Sequence, residues 1–480
     1  MVCEILQVGL CGDSKMFELR DYQQELLNKT YESVRKGNKT IIVQSPPRTG
    51  KTVLMADIAR RATAKGNRVL FVVHRKEIVD QATATFKEQN VDMNLAQLGM
   101  VQTITRHVNE IPEPQVIFID EGHHSLAKTY QRIIDAFPNA IKLLFTATPQ
   151  RTGNKQLDLI ADDIVLGKSI KWLTEHGNLA PFTYYSIDDI DRSRLKKNST
   201  GDFTSESMEQ AVKKKIYGDV VENYKELAPN KQAVVYCYSV ENAIKVAQEF
   251  NDNRISAVEV DGTTDPTKRD EIIEDFRQGK IKILTNVNLF TEGLDLPNVD
   301  CVIMVRPTAS LALYLQFSMR CLNPREGKVA IIIDHVANWK EFGLPDQDRD
   351  WQAAMKTKSG SKRKNTNQTT DSPLQCDHCY AVFYRSELTE NKLCPYCGME
   401  VSKKQIEMAV TKAELVEINE SKLRVNRLKK IMHNNVMRNV ASKRPSELRT
   451  MEEFQAYAKL HHYKPGWAWY AYRKISKKGR

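Results

Sequence analysis

Three groups of residues are suited to chemistry. The first is the octapeptide SPPRTGKT, Ser45 to Thr52. An apolar run, Thr40–Gln44, precedes it, and a helical pattern over Val53–Lys65 follows it. A strand, a Gly-Lys-Thr loop and a helix make a phosphate-binding arrangement. Backbone N–H groups of the loop residues Arg48, Thr49 and Gly50, with the helix N-terminus, present partial positive charge to an anion. Lys51 can reach the β- and γ-phosphates of a nucleotide, and the Thr52 hydroxyl can ligate Mg²⁺. Ser45 stands where the first glycine often sits. A chance Gly-Lys-Thr turn is the alternative, and the flanking strand and helix weigh against it. The second group is Asp120 and Glu121, at the carboxyl end of the apolar run in VIFIDEGHH. Open α/β sheets bind ligands at such strand ends. The two carboxylates can divide the labour, Asp120 holding Mg²⁺ and Glu121 polarising the attacking water.

The third group is Cys376, Cys379, Cys394 and Cys397, two C-x₂-C pairs separated by fourteen residues. The other five cysteines are scattered. Four thiolates at this spacing suit a closed, tetrahedral, structural Zn²⁺ site. Iron is the smaller alternative, since tetrahedral sulfur also suits it. Unligated thiols are the plain alternative.

The elements around these groups follow an α/β rhythm. Apolar runs at Thr40–Gln44, Arg68–Val73, Gln115–Asp120 and Lys142–Phe145 alternate with helical stretches such as Val53–Lys65 and Lys76–Gln89. This predicts a mostly parallel sheet covered on both faces. The alternation resumes with strands expected at Gln232–Tyr238, Ala257–Val260, Lys282–Thr285, Asp300–Val305 and Lys328–Ile333. Asp265-Pro266 reads as a capped helix start. The boundaries read as an N-terminal extension over 1–15, a first lobe over 16–185, a connector or insertion over 186–215 and a second lobe over 216–352. A flexible basic linker follows over 353–373, then a zinc module over 374–402 and a basic helical region over 403–480. In that last region Thr411-x-x-Glu414 is a capping-box pattern, and Leu415 to Val436 carries an apolar stripe at helical spacing.

The charge is uneven. Of 71 Lys+Arg and 60 Asp+Glu, residues 351–480 hold 26 and 12, and residues 1–350 hold 45 and 48. A basic tail on a near-neutral front favours a polyanion, usually nucleic acid. A solvated tail is the bland reading. Lys464, Trp467, Trp469, Tyr470, Tyr472 and Arg473 interleave rings with cations. The rings fit best as the core of a small helical hairpin, with the surrounding cations left for phosphates. No apolar run has membrane-spanning length, and the N-terminus lacks a secretory pattern. These patterns predict a cytoplasmic protein.

Several segments occur in a telling order: ELRDYQ (Glu18–Gln23), SPPRTGKT, FVVHRKEIVDQ (Phe71–Gln81), VQTITR (Val101–Arg106), DEGHH, TATP (Thr146–Pro149), YCYSVENA (Tyr236–Ala243), LTNVNLFTEGLDLP (Leu284–Pro297) and YLQFSMRCLNP (Tyr314–Pro324). The chain resembles a superfamily 2 helicase of the DEAD/DEAH type over roughly residues 17–400. It most resembles the RadD-like helicases of bacteria and phages, which join two RecA-like lobes to a cysteine zinc module. The resemblance implies an α/β fold of two tandem RecA-like parallel-sheet lobes, followed by the zinc module and a basic helical C-terminal region. It implies that Arg20 and Gln23 read adenine and that Gly293 and Asp295 lie near the nucleotide. His74, Arg75, Gln102, Thr103, Ser239 and Thr285 would face the nucleic-acid strand, and Gln316 and Arg320 would serve ATP hydrolysis. It implies ATP, Mg²⁺ and Zn²⁺ as cofactors.

Three positions depart from the family pattern. Gly122 replaces the usual alanine of motif II. In motif VI, usually QxxGRxxR, Met319 replaces the glycine and Asn323 stands where a second arginine is expected. An arginine finger contributes ~10³–10⁵ in rate, so the loss points to slow turnover unless another cation, such as Arg325, substitutes. The leading reading is an ATP-dependent DNA helicase or translocase of repair, recombination or replication. It is expected to be monomeric, acting on single-stranded or branched DNA, with a recruiting protein partner engaged through the C-terminal region. An RNA helicase, a double-strand translocase that does not unwind, and a nucleotide-gated binding protein with weak ATPase are the alternatives.

Overall fold

The computed structural model describes residues 18–122, 125, 127–149, 160–187, 190–198, 201–212, 216–287, 289, 296, 298–352, 371–389, 391–401, 440, 443–461, 463, 468 and 471–472. The chain divides into two compact units, Met1–Leu388 and Thr389–Arg480. Among the described residues, no helix is long and apolar enough to cross a membrane. The tail stripe over Leu415–Val436 and the residues Gly293, Asp295, Lys464, Trp467, Trp469, Tyr470 and Arg473 lie outside the described residues.

The first lobe opens with α1 (Asp21–Arg35), β1 (Thr40–Gln44), α2 (Lys51–Thr63), β2 (Val69–Val73), α3 (Lys76–Glu88) and β3 (Ala96–Met100). It continues with α4 (Val101–Arg106), β4 (Val116–Asp120), α5 (Lys128–Ala136), β5 (Ile141–Thr146) and β6 (Asp163–Leu166). Six strands form one sheet in the order β3-β2-β4-β5-β1-β6, all parallel. Parallel strands are buried on both faces and so read as unbroken apolar runs. Alternate residues of one strand serve different cores. Ile41 and Val43 join α1, α2 and α3, while Ile42 joins α4 and α5 on the opposite face.

The second lobe comprises α6 (Ile170–Glu175), β7 (Phe182–Ser186), α7 (Ser205–Ala211), α8 (Ile216–Leu227), β8 (Ala233–Tyr236), α9 (Val240–Asp252), β9 (Ala257–Val260), α10 (Pro266–Arg277) and β10 (Ile283–Asn286). It is completed by β11 (Cys301–Met304), α11 (Leu311–Met319), β12 (Ala330–Asp334) and α12 (Trp339–Phe342). The Asp265 carboxylate caps α10 at the Thr267 and Lys268 N–H groups, 3.0 and 3.2 Å.

Two sequence boundaries move. β7, placed in the first lobe by its position in the chain, pairs in parallel with β12, Phe182 opposite Ala330. Ile170, Leu173 and Leu179 lie in the second lobe's core. The first lobe therefore ends at β6. The stretch read as a connector is part of the second lobe as well: Ile190, Met208 and Val212 are buried in that core. Asp202 is buried and accepts hydrogen bonds from Arg306 Nη2 at 2.7 Å, Thr308 Oγ1 at 2.9 Å and the Ala309 N–H at 2.7 Å. A buried carboxylate so fully bonded fixes one arrangement of the segment.

The cysteine module begins inside the same sheet. β13 (Pro373–Gln375) and β14 (Ala381–Tyr384) form a hairpin, and β14 pairs antiparallel with β7. The second sheet thus has eight strands, in the order β13-β14-β7-β12-β11-β8-β10-β9. The expected linker overlaps this hairpin at Pro373. The Tyr384 hydroxyl donates to Asp346 Oδ1 at 2.8 Å, a second tie between hairpin and lobe. In the C-terminal unit, α13 (Met451–Leu460) gathers Val440, Leu448, Phe454 and Tyr457 into a small core. Tyr472 stacks edge-on against Phe454, 5.8 Å between centroids, as a ring used for packing.

Candidate nucleotide and nucleic-acid site

Sheet order brings the chemistry together. β5 lies between β1 and β4, so the loops after β1, β5 and β4 stand side by side at one edge. These are the phosphate loop, Thr146–Pro149 and Asp120–Glu121. The links are short. The Ser45 N–H donates to Thr146 O at 3.0 Å, and Gln44 Nε2 donates to Ala147 O at 3.2 Å. The Thr148 N–H closes the turn onto Thr146 Oγ1 at 3.1 Å.

The phosphate loop is braced from within and from behind. The Ser45 and Thr49 hydroxyls lie 2.6 Å apart, and Thr49 Oγ1 donates to Pro46 O at 2.7 Å. Ser45, in the place of a glycine, thus contributes a bond that glycine lacks. From α1, the Tyr22 hydroxyl donates to Thr49 O at 3.0 Å, and Gln23 Nε2 donates to Thr49 O at 2.9 Å and Gly50 O at 3.3 Å. Gln23 Oε1 accepts the Arg20 N–H at 2.9 Å. Both ends of the Gln23 amide are engaged with backbone, so in this arrangement Gln23 supports the loop rather than reading a base. Arg20 reaches Asn178 Oδ1 at 3.5 Å. Neither brace is visible in the motif itself, because it consists of side chain to backbone bonds across the fold.

Gly50 caps α2 with φ 74° and no side-chain bond. A Cβ there would lie 2.6 Å from Gln23 Nε2. The loop therefore needs glycine at 50 for conformation and for space. Lys51 and Thr52 open α2 half-buried at its N-terminus, where unsatisfied N–H groups favour an anion. Asp120 is half-buried, and its Oδ1 accepts the Glu121 N–H at 3.0 Å. Glu121 is buried and has φ 50°, a left-handed backbone that turns the chain sharply after β4. This donor set fits Mg²⁺-ATP: a tight N–H cradle, an amine, a hydroxyl and two carboxylates. A cavity of ≈ 480 Å³ opens beside the loop, lined by Pro46, Pro47 and Ala147 and, from the second lobe, by Leu315 and Trp351.

The second lobe faces this edge. Gln316 and Arg320, at the end of α11, are both buried. Arg320 hydrogen-bonds Tyr236, whose hydroxyl is raised by burial and partly restrained by Arg320 and Arg48. Tyr236 also stacks on Phe317, 4.0 Å between centroids. Burial pushes the neighbouring Cys321 thiol up to about 12, against the pull of Lys328 and Arg48. Arg48 Nη2 reaches Leu296 O at 3.4 Å, and Arg75 Nη1 reaches Leu289 O at 3.4 Å. Both bonds are long, and both join first-lobe arginines to the segment Leu284–Pro297.

Asn323 has a structural partner. Its Oδ1 accepts from Lys328 Nζ at 2.7 Å, and Lys328 also pairs with Asp300 at 3.2 Å. Arg325 pairs with the same Asp300 at 2.5 Å. Asp300 precedes β11, at the amino end of the strand and away from the ligand edge. Arg325 is thereby committed elsewhere and does not stand in for the missing arginine.

The residues expected to face a strand divide. Gln102 and Thr103 are exposed at the start of α4, and His74 and Arg75 are half-buried after β2. The Ser239 hydroxyl caps α9 through the Asn242 N–H at 3.1 Å. Thr285 is fully buried and donates to Ala243 O at 2.8 Å. It anchors α9.

The four cysteine sulfurs lie within 4.8 Å of one another. Zn–S bonds of about 2.3 Å give tetrahedral edges of about 3.8 Å, so the donor set fits Zn²⁺.

Known proteins match this arrangement. The family model "Helicase conserved C-terminal domain" matches residues 213–324. "Type III restriction enzyme, res subunit" matches 16–112 and 92–151. A 51.5 kDa protein of a Lactococcus phage is 39% identical over 80% of this chain and 83% of its own. The chain belongs to the superfamily 2 helicases of the DEAD/DEAH type. The putative ATP-dependent helicase IRC3 of Saccharomyces cerevisiae is 31% identical over 65% of this chain. The chain spans 50% of the length of that yeast protein. In fold, the helicase superposes on the DNA-bound restriction-modification enzyme LlaBIII with a TM-score of 0.52 at 17% identity, over 71% of this chain and 29% of the other. A superfamily 2 helicase is a nucleic-acid-dependent ATPase.

Proposed function

We propose that this helicase is a DNA motor: an ATP-dependent translocase or helicase that moves on single-stranded or branched DNA during repair, recombination or replication. The observation that carries the reading is that the phosphate loop meets the second lobe: Arg48 Nη2 reaches Leu296 O at 3.4 Å, and one cavity is lined by Pro46 and Pro47 of the loop and by Leu315 and Trp351 of the second lobe. The DNA bound by LlaBIII, a neighbour in fold, motivates DNA over RNA, while the basic tail suits either polyanion.

Bound Mg²⁺-ATP would supply a phosphoanhydride whose terminal phosphate can be transferred to water. The chain's own residues do the rest. Lys51 and the α2 N–H groups hold the phosphates, while Asp120 and Thr52 hold the metal. Glu121 orients water, and Arg320 meets charge that develops on the transferring group. Gln102 and Thr103 lie exposed for a backbone strand, and Arg75 is tied to Leu289 O of the second lobe. Opening and closing of the cleft then alternates the grip on that strand.

The test is steady-state ATP hydrolysis without nucleic acid and with single-stranded DNA, duplex DNA or RNA, each beside Lys51→Ala. DNA stimulation lost in the mutant supports the motor. Stimulation by RNA alone would refute the DNA assignment. One observation favours a second reading, a slow ATPase that uses nucleotide to gate its hold on DNA: Asn323 is bonded to Lys328 and leaves motif VI with one arginine. Tight, nucleotide-dependent DNA binding without stimulated turnover would favour it.

A further inference from the structure

Arg48 is the fourth residue of the phosphate loop, and its backbone has φ 62°. That left-handed conformation disfavours any residue with a Cβ and suits glycine. For the loop's backbone alone, glycine would serve better, so the side chain needs its own reason to be there. It leaves the first lobe: Nη2 meets Leu296 O of the second lobe at 3.4 Å. Its charge also reaches Tyr236 at the end of β8, the residue that Arg320 hydrogen-bonds, and Cys321 next to Arg320. The field of a cation from the phosphate loop and that of the remaining cation of motif VI therefore both bear on one buried tyrosine of the second lobe. Two basic residues that follow motif VI, Arg325 and Lys328, are bonded to Asp300 and Asn323.

We propose that Arg48 is a positioning residue for ATP hydrolysis. Its guanidinium, carried on the phosphate loop, docks on the second lobe at Leu296 O. It thereby supplies from the first lobe the second interlobe cation that motif VI lacks at Asn323. The proposal rests on the ATPase assignment. It ties the conformation of the loop to lobe docking, so its loss should slow the step that needs docked lobes more than it weakens nucleotide binding.

The experiment compares Arg48→Gly and Arg48→Lys with wild type and Lys51→Ala in DNA-stimulated hydrolysis, with thermal melting and ATP binding measured on the same preparations. Glycine keeps φ 62° without strain, so Arg48→Gly should melt at or above the wild-type midpoint and bind ATP normally. Its stimulated kcat should fall about 10–10²-fold with KM for ATP little changed, and Arg48→Lys should recover part of the rate. Wild-type kcat in Arg48→Gly would overturn the proposal, as would a rise in KM or loss of ATP binding with kcat intact, which would make Arg48 a phosphate ligand only. If wild type shows no hydrolysis above Lys51→Ala, the ATPase assignment itself fails, a distinct result.

Discussion

Alanine at position 122 would match the usual motif II of the family and should damage this protein. A Cβ there would lie 2.9 Å from Leu144 Cβ, 3.0 Å from the Leu144 carbonyl carbon and 3.2 Å from its Cα. The obstruction is mainly backbone of β5, a central strand paired with β4 on one side and β1 on the other, so it cannot rotate away. Overpacking of this kind costs about 1–3 kcal/mol. For a lobe of this size that is a fall of about 2–12 °C in melting midpoint. β5 also positions the site: Phe145 pairs with Asp120, and Thr146 O holds the Ser45 N–H. A shift of a few tenths of an ångström, relieving the clash, moves Asp120 against the phosphate loop and should lower kcat along with stability. Leu144→Ala should not rescue Gly122→Ala, because it leaves Cβ, Cα and the carbonyl carbon in place. The assay is a thermal melt and steady-state hydrolysis on Gly122→Ala, Leu144→Ala and the double variant. An unchanged midpoint with full turnover in Gly122→Ala would refute the packing argument, and so would rescue by Leu144→Ala.

Three other outcomes are expected. Purified protein should carry about one zinc per chain by elemental analysis, and chelation should lower the second lobe's melting midpoint because β14 belongs to its sheet; folded, active protein without zinc would remove the assignment. Burial raises the Asp346 carboxyl above its ordinary value, and the Tyr384 hydrogen bond draws it partly back. A carboxyl raised in the folded state binds more protons there than in the unfolded chain, so its cost to stability grows as pH climbs from its unfolded value through its folded one and is complete above. Tyr384→Phe should therefore cost about 1–3 kcal/mol near neutral pH and progressively less in acid, where Asp346 is neutral; urea titrations at two pH values that give equal losses would count against it. Asn323→Arg should bring no gain in turnover and should lower the melting midpoint, because it removes an acceptor from Lys328, whose side chain is 2% exposed, and sets a second cation beside it; a several-fold rise in kcat would overturn that account.

Much of this was legible in the sequence, and for physical reasons. Strands buried on both faces read as apolar runs, so Thr40–Gln44 is a strand over the residues expected; Ala257–Val260, a half-buried edge strand, also spans the residues expected. The Gly-Lys-Thr loop and the four cysteines are legible because anion cradles and tetrahedral metal sites constrain residue type and spacing together. The roles of Gln23 and Thr285 are not. Their hydrogen bonds go to Thr49 and Ala243, partners that the order of motifs does not specify. Asp202 reads as a polar loop residue until Arg306 is seen beside it, 104 positions away. Gly122 reads as a mild departure until the Leu144 backbone is placed.

The displaced lobe boundary has a mechanical consequence. Phe-Thr-Tyr-Tyr-Ser carries no local mark of which sheet it will join, and its partner β12 lies some 150 positions on. Once β7 belongs to the second sheet, the chain's passage between sheets shrinks to Gly167, Lys168 and Ser169, between β6 and α6. Both ends of that passage are fastened. The Gly167 N–H donates to Gln44 O at 2.9 Å, and a Cβ on Gly167 would meet the same oxygen at 2.9 Å. Ser169 Oγ caps α6 by accepting the Trp172 N–H at 3.2 Å. Gln44 is the last residue of β1, directly before the phosphate loop. Any rotation of the second lobe about this passage therefore pulls on the residue that begins the loop, while Arg48 meets the second lobe at the loop's fourth position. The phosphate loop is held to the second lobe's movement through the backbone at Gln44 and through a side chain at Arg48, so nucleotide contact and lobe position form one mechanical unit.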